Sequence, residues 1–431
     1  MGVLRRWLLV GALSLCCLPG AARASVEVDM LLEKLVEKGV LTRQDATDLK
    51  AEMAEFKDAG NKQLAKEIVP KWALNTEWKG DIRLRNEYRN QEGTGNDRNR
   101  QRIRFRYGFA SKVGDQIKVG ARIATGSSST GGTGGDPVST NQSFDTNFVK
   151  KNISLDLAYL EYSPTVPGLS SKLIGGMMEN PFWSVSPLVF DGDLSFDGAA
   201  VKVSREMGPA TVFSNIGAFS LDTDETEPAS LWITQAGASV TPFPDAEGEI
   251  LKNLKLSGAL AYQDYRNVAN ATKAGTDIIA REGQNTASAT DFNQINPGVE
   301  LASKLMGYPV ALYGDWVHNT AAGTRNNDGF QIGVKAGKAA NPIFSFGNGF
   351  NLKDGWETGY FFQELQADAA FDEFADSDFN DGGTNNRGHA FWLTFATLKS
   401  STFGVKYLIG ENLKGAKDVE NRVQMDWVTK F

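Results

Sequence analysis

The sequence has 431 residues, a formal net charge of −7 and two cysteines, and its mean hydropathy is −0.31. An acidic chain is a poor partner for nucleic acid, and no stretch beyond the first two dozen residues approaches the roughly 20 apolar residues that span a bilayer as a helix. Low hydropathy does not exclude a membrane β-barrel, which turns half of its strand residues to a polar lumen.

Residues 1–24, MGVLRRWLLVGALSLCCLPGAARA, read as a secretory signal peptide, with Arg5 and Arg6, an apolar run from Trp7 to Leu18 and an Ala22-Arg23-Ala24 cleavage pattern. Cys16 and Cys17 both fall inside it, and the residues before them fit a lipidation site poorly. Cleavage after Ala24 leaves a chain without cysteine, which excludes disulfides, thiolate zinc sites and thioether-bound haem. It also removes Arg5, Arg6 and Arg23 and no acid, which takes the net charge from −7 to −10.

Residues 25–73 are expected to form a helical segment and linker on the periplasmic side. VDMLLEKLVEKGVL spaces Leu31, Leu32, Leu35, Val36 and Val40 at helical intervals, with Gly39 as a stop. TRQDATDLKAEMAEF begins a second helix at Thr42, with Asp45 three residues on as a variant capping box. Residues 25–57 read as a helical hairpin packed on its own apolar stripe, or as a short coiled coil or docking element. A polar connection through Pro70 leads to the first strand.

From residue 74 to 431 the apolar period changes from 3.6 to 2. In EWKGDIRLRNEYR, Trp78, Ile82, Leu84 and Tyr88 share one face, and Asp81, Arg83, Arg85 and Glu87 share the other. RQRIRFRYGFASKV sets Ile103, Phe105, Tyr107 and Phe109 against Arg100, Arg102, Arg104 and Arg106, and QIKVGARIA sets Ile117, Val119 and Ile123 against Lys118 and Arg122. Sixteen strands are expected, near 75–90, 98–113, 116–126, 150–163, 171–179, 195–207, 209–221, 229–241, 251–265, 293–304, 308–319, 328–338, 353–366, 386–399, 402–411 and 419–431. Short connections such as VGDQ, EMGP and KSST mostly alternate with long polar ones, and AANPIFSFGNGFNLKDG breaks the alternation. An even strand count puts both ends of the barrel on the short-turn side.

Arg102, Arg104 and Arg106 cannot sit unpaired in a dry core, so their face needs water, while Ile103, Phe105 and Tyr107 need an apolar solvent. Lipid outside and a water-filled lumen inside supply both, and backbone satisfaction in lipid requires closure. The reading is an all-β, transmembrane antiparallel barrel of about sixteen strands. The last stretch, VQMDWVTKF, then reads as the closing strand, with Trp427 and Phe431 facing the membrane.

DLAYLEYSP, IGGMMENPFWSVSPLVFDGDLSFDGAA and VQMDWVTKF, together with the signal peptide, resemble a family of bacterial outer-membrane porins that carry an LLEKLVEKGVLT-type helical segment before the barrel. That family is distantly similar to general and phosphate-selective porins. The resemblance implies a homotrimer in the outer membrane, in contact with lipid and lipopolysaccharide, passing small hydrophilic solutes or anions by passive diffusion. It also implies that NPFWSVSPLVFDGDLSFD, the third loop of the long side, folds into the lumen. Asp191, Asp193 and Asp197 then face the arginines across the narrowest section. The alternative is that these acids form a solvated loop and the arginines pair with Asp81 and Glu87.

The expected pore lining is Arg83, Arg85, Arg102, Arg104, Arg106, Arg122, Asp191 and Asp193. Arginines about 7 Å apart along a strand face lie within a Debye length of about 8 Å at physiological salt, so one basic wall with modest anion preference is expected. A hydrolase is the first rival: only His318 and His389 are available as imidazole bases, and no GxSxG stands beside either. The run DSDFNDGG hints at a calcium loop but places Asp381 and Arg387 where that motif needs Gly and Glu, so no metal or cofactor is assigned. A barrel sheathing an electron carrier is the second rival, and its haem has to come from a partner.

Overall fold

The computed structural model describes residues 71–92, 97–126, 136–145, 147–222, 228–268, 285–286, 291–321, 325–345, 349–350, 352, 354–416 and 418–431, with isolated helical positions at Val36, Gln44 and Thr47. The chain divides into two compact units, Met1–Leu74 and Asn75–Phe431. In the first, the described residues hold α1 (Lys71–Leu74) and the three isolated positions. The signal peptide and most of the helical hairpin expected over 25–57 lie outside the described residues.

The second unit is a closed antiparallel barrel. Its strands are β1 (Thr76–Gln91), β2 (Arg98–Lys112), β3 (Ile117–Thr125), β4 (Ile153–Tyr162), β5 (Ser170–Glu179) and β6 (Ser195–Met207). Then come β7 (Ala210–Ser220), β8 (Ser230–Val240), β9 (Lys255–Arg266), β10 (Phe292–Leu305) and β11 (Tyr308–Asn319). The last are β12 (Asp328–Ala339), β13 (Gly355–Leu365), β14 (Asn386–Leu398), β15 (Ser401–Asn412) and β16 (Glu420–Lys430). Each pairs with its chain neighbour, and β16 pairs with β1 from Asp81↔Lys430 to Gln91↔Glu420. Closure leaves no edge, so the ladder satisfies the backbone without water. All sixteen expected strands are present. The ninth starts at Lys255 instead of 251, because Glu249–Lys252 coils into one helical turn, α2.

Near the rim that carries the two ends of the barrel, β10 and β11 are joined by Met306 and Gly307, both left-handed at φ 54° and 80°, the conformation a two-residue hairpin needs. The 340–354 connection on that rim is longer and carries a small ribbon, Phe344–Ser345 paired with Gly349–Phe350. The opposite rim holds the long loops, where the two-residue strand Gln142–Ser143 pairs with Arg102 and Ile103 of β2.

The outer surface is apolar: Trp78 is 57% exposed, Leu260 54%, Ile332 53% and Trp427 49%. A contiguous belt of this kind suits lipid, not water. Trp78, Tyr107 and Phe431 ring one boundary through stacked contacts at 5.6 and 6.1 Å, as membrane-interface aromatics do. The packed core lies inside the barrel, where loops turn inward. Leu188 and Val189 of loop 180–194 pack with Val317, Leu365 and Ala369. Phe379 of loop 366–385 packs with Tyr313, Phe361 and Leu408, and Phe371 with Tyr265 and Phe292. Burying one such side chain is worth about 1.5–3 kcal/mol, so these loops are held against the wall as firmly as core elements.

Candidate functional site

The register of β1 with β2 sets the charges of the inner wall face to face: Arg83↔Arg104, Arg85↔Arg102 and Asp81↔Arg106. Like charges directly opposite each other destabilise a sheet. Counter-ions resolve the conflict. Asp81 accepts from Arg104 at 2.8 Å and from Arg106 at 2.7 Å. Asp426, across the β1–β16 seam, takes both Nε and Nη2 of Arg85 at 2.7 and 2.9 Å. Glu87 accepts from Arg100 at 2.6 Å, and Arg122 bonds Asp156 and Glu179.

The infolded loops supply the rest. Asp193 lies 3.3 Å from Arg106 and 3.5 Å from Arg104, and takes the Thr140 hydroxyl at 3.0 Å. Asp378 accepts from Arg85 at 2.9 Å and from Gln424 at 2.9 Å. Asp381 bonds Arg89 at 2.7 Å and Arg422 at 3.0 Å. Burial raises the Asp193 carboxyl, but Arg104, Arg83 and Arg106 outweigh it and hold the group below its ordinary value. Burial likewise acts on Asp378, and Arg85 with Lys406 overcomes it, leaving the group well below the carboxylate range.

Arg83 and Arg102 differ from their neighbours. Arg83 bonds the Asn141 side chain at 2.6 Å and Arg102 the Ser139 hydroxyl at 3.4 Å. Neither forms an ion pair among the described residues. Both partners belong to loop 136–145, which folds against the same wall.

The structure brings Arg83, Arg85, Arg102, Arg104, Arg106 and Asp193 into one cluster, with Arg122 beside Arg106 on β3. Asp191 is elsewhere: its oxygens take the amides of Asp193 and Ser377 at 2.8 Å each, where loop 180–194 meets loop 366–385. Burial, then the charge of Asp376, pushes it up to about 7. Burial also raises Asp376 itself, against the pull of Lys406. Asp197 lies on β6 with its side chain exposed, because its neighbour Phe196 takes the inward position. The arginines are thus less hydrated than their alternation suggests: Arg85 is 5% exposed and Arg104 8%. Of the acids in DSDFNDGG, read as a weak calcium motif, Asp378 and Asp381 pair with arginines instead, whereas Asp376 accepts the Asp378 amide at 2.9 Å. Asp378, Asp381 and Asp426 were missed as wall counter-ions.

His318 bonds Asp328 at 2.9 Å and stacks on Trp316, and His389 bonds the Tyr360 hydroxyl at 2.9 Å. Both belong to the outer face, next to the inward Val317 and Ala390.

A closed sixteen-stranded barrel, apolar outside, charged inside and narrowed by infolded loops, is the architecture of an outer-membrane channel. The chain belongs to the family described as "Putative porin", whose model matches residues 88–298 and 283–431. Among solved structures it is similar to OprB of Pseudomonas putida, at 11% identity over 83% of this chain and 94% of that one, with a TM-score of 0.52. The outer membrane channel DcaP of Acinetobacter baumannii gives 15% identity, 83% and 97% coverage and 0.46. OmpF of Salmonella typhi, solved with daunomycin, gives 10%, 83% and 97%, and 0.46. Identities this low speak for the fold alone, and only the first score rises above 0.5. No curated protein matches the chain. The protein is an outer-membrane porin, a barrel channel for passive diffusion.

Proposed function

We propose that the arginine cluster lines the narrow section of the pore and gives it a weak preference for anions. Arg83, Arg85, Arg102, Arg104 and Arg106 stand against Asp81, Asp193, Asp378 and Asp426, five cations to four anions. The observation that carries the reading is that Arg83 and Arg102 bond neutral side chains, Asn141 and Ser139. A residual charge of this size biases permeation only while the ions around it do not screen it, so the preference fades as salt rises beyond a Debye length of about 8 Å at 0.15 M.

The reversal potential of the purified protein in a planar bilayer under a salt gradient tests it. Modest anion preference at low salt, lost at high salt, is expected; cation preference at every salt concentration overturns it.

The same reading gives the protein a homotrimeric state, contacts with lipopolysaccharide, and a periplasmic helical segment at 25–73 that is dispensable for conduction. The apolar outer belt supports a lipid environment. Chemical cross-linking tests the trimer. Removal of residues 25–57 tests the segment: a truncated barrel that inserts but no longer conducts assigns it to the pore.

A further inference from the structure

Away from the arginines, one row of register partners crosses the inner wall from β12 to β15: Lys335↔Gly359, Gly359↔Trp392 and Trp392↔Lys406. A Cβ on Gly359 would meet the indole at 2.1 Å, so the ring lies flat against the wall over the glycine and turns its other face to the lumen. Tyr313 lies over Gly333 in the same way, where a Cβ would meet the ring at 2.3 Å. These two plates, with Phe361 between them in the register, line a cavity of about 420 Å³ under Val185 and Pro187 of loop 180–194. That volume falls in the roughly 300–1,000 Å³ span of small-molecule sites.

The charges of the cavity are unequal. Lys335 is tied to Glu300 at 2.6 Å, and Asp426 is held by Arg85. Glu357, which is not part of the lining, takes the indole N–H at 3.4 Å. Lys406 forms no ion pair among the described residues, though it lies in the field of Asp376 and Asp378. It stands directly beside the Trp392 plate.

We propose that this cavity is a binding site for organic monoanions carrying a flat apolar ring, the ring stacking on Trp392 and the carboxylate bonding the Lys406 ammonium. Aromatic faces supply an apolar platform and a lysine supplies a charge-assisted bond, so neither a small hydrated anion nor a neutral sugar satisfies both. The site rests on the channel reading above only for its place on the transport route.

The test is calorimetric titration of the full-length protein in detergent with benzoate, acetate and glucose, alongside bilayer conductance of the same preparation. Benzoate is expected to bind saturably, and acetate and glucose not at equal concentration. Lys406→Gln and Gly359→Ala, the latter displacing the indole without touching charge, are each expected to weaken benzoate about tenfold, with heat-modifiable gel mobility retained. Glucose binding in place of benzoate, or benzoate binding indifferent to both variants, overturns the proposal. Conductance without benzoate binding overturns the proposal alone, and benzoate binding without conductance overturns the channel reading alone.

Discussion

Asp193, on an infolded loop, lies 3.3 Å from the guanidinium of Arg106 on the barrel wall and so ties the two together by charge. Asp193→Asn removes one of the four carboxylates that offset the cluster. Reversal potential is expected to shift toward anions at low salt. An unchanged reversal potential shows that the loop does not approach the wall in the working channel.

The arginines divide into two groups by their partners. Arg104 is buried against Asp81 and Asp193, and removing one member of a buried ion pair costs about 3–5 kcal/mol. Arg104→Gln is expected to lower the temperature at which the heat-resistant band is lost on gels. Arg83→Gln and Arg102→Gln strand no carboxylate, so they are expected to leave that temperature nearly unchanged and to move selectivity toward cations. Equal thermal losses in all three variants count against the division.

The contact between loops 180–194 and 366–385 depends on pH. Asp191 is raised from 3.8 to about 7 in the packed junction, chiefly by burial. A carboxyl raised in this way binds its proton more tightly when packed than when released. Junction stability is therefore full below the ordinary value of 3.8, declines as pH rises toward 7, and is level above it. The Ser377 amide, which donates to Asp191 at 2.8 Å, reports it by hydrogen-exchange protection corrected for intrinsic rate. Asp191→Asn is expected to abolish the slope, and a slope that persists in that variant assigns it to other groups.

Phe379 is fully buried between Tyr313, Phe361 and Leu408 and anchors loop 366–385 inside the barrel. Phe→Ala changes at buried sites cost about 3–5 kcal/mol, here spent on the loop while the barrel ladder stays intact. Phe379→Ala is expected to raise single-channel conductance with no change in heat-resistant migration. An unchanged conductance places the limiting section elsewhere.

Gly80 and Phe431 exchange backbone hydrogen bonds at 2.8 and 2.9 Å, and a Cβ at Gly80 would lie 2.6 Å from the phenylalanine ring. Gly80→Val is expected to push this aromatic off the closing seam and lower the thermal stability of the folded band. A wild-type melting temperature in that variant shows that the ring yields without cost.

The strands were legible because alternation is a short-range signal: Ile103, Phe105 and Tyr107 against Arg102, Arg104 and Arg106 announces two solvents within six residues. The helical turn at Glu249–Lys252 was not, since four residues are too few to show a helical period. The arginine cluster was legible as a cluster, and loop 180–194 as its partner. The pairing of Arg85 with Asp426, 341 positions away, was not. It depends on which strands meet at closure, and the polar character of a residue carries no address. The parting of Asp191 from Asp193 depends on backbone course within one loop, where no period applies.

The seam between β1 and β16 joins the first and last strands of the barrel. Until β16 exists, β1 presents an open ladder of amides and carbonyls, and every intermediate sheet has two such borders. Contacts so distant along a chain are also slow to form, because loop-closure entropy is met before any bond rewards it. A sheet with that seam open would carry an adhesive border on each side, and the pairing of β1 with β16 removes both at one stroke.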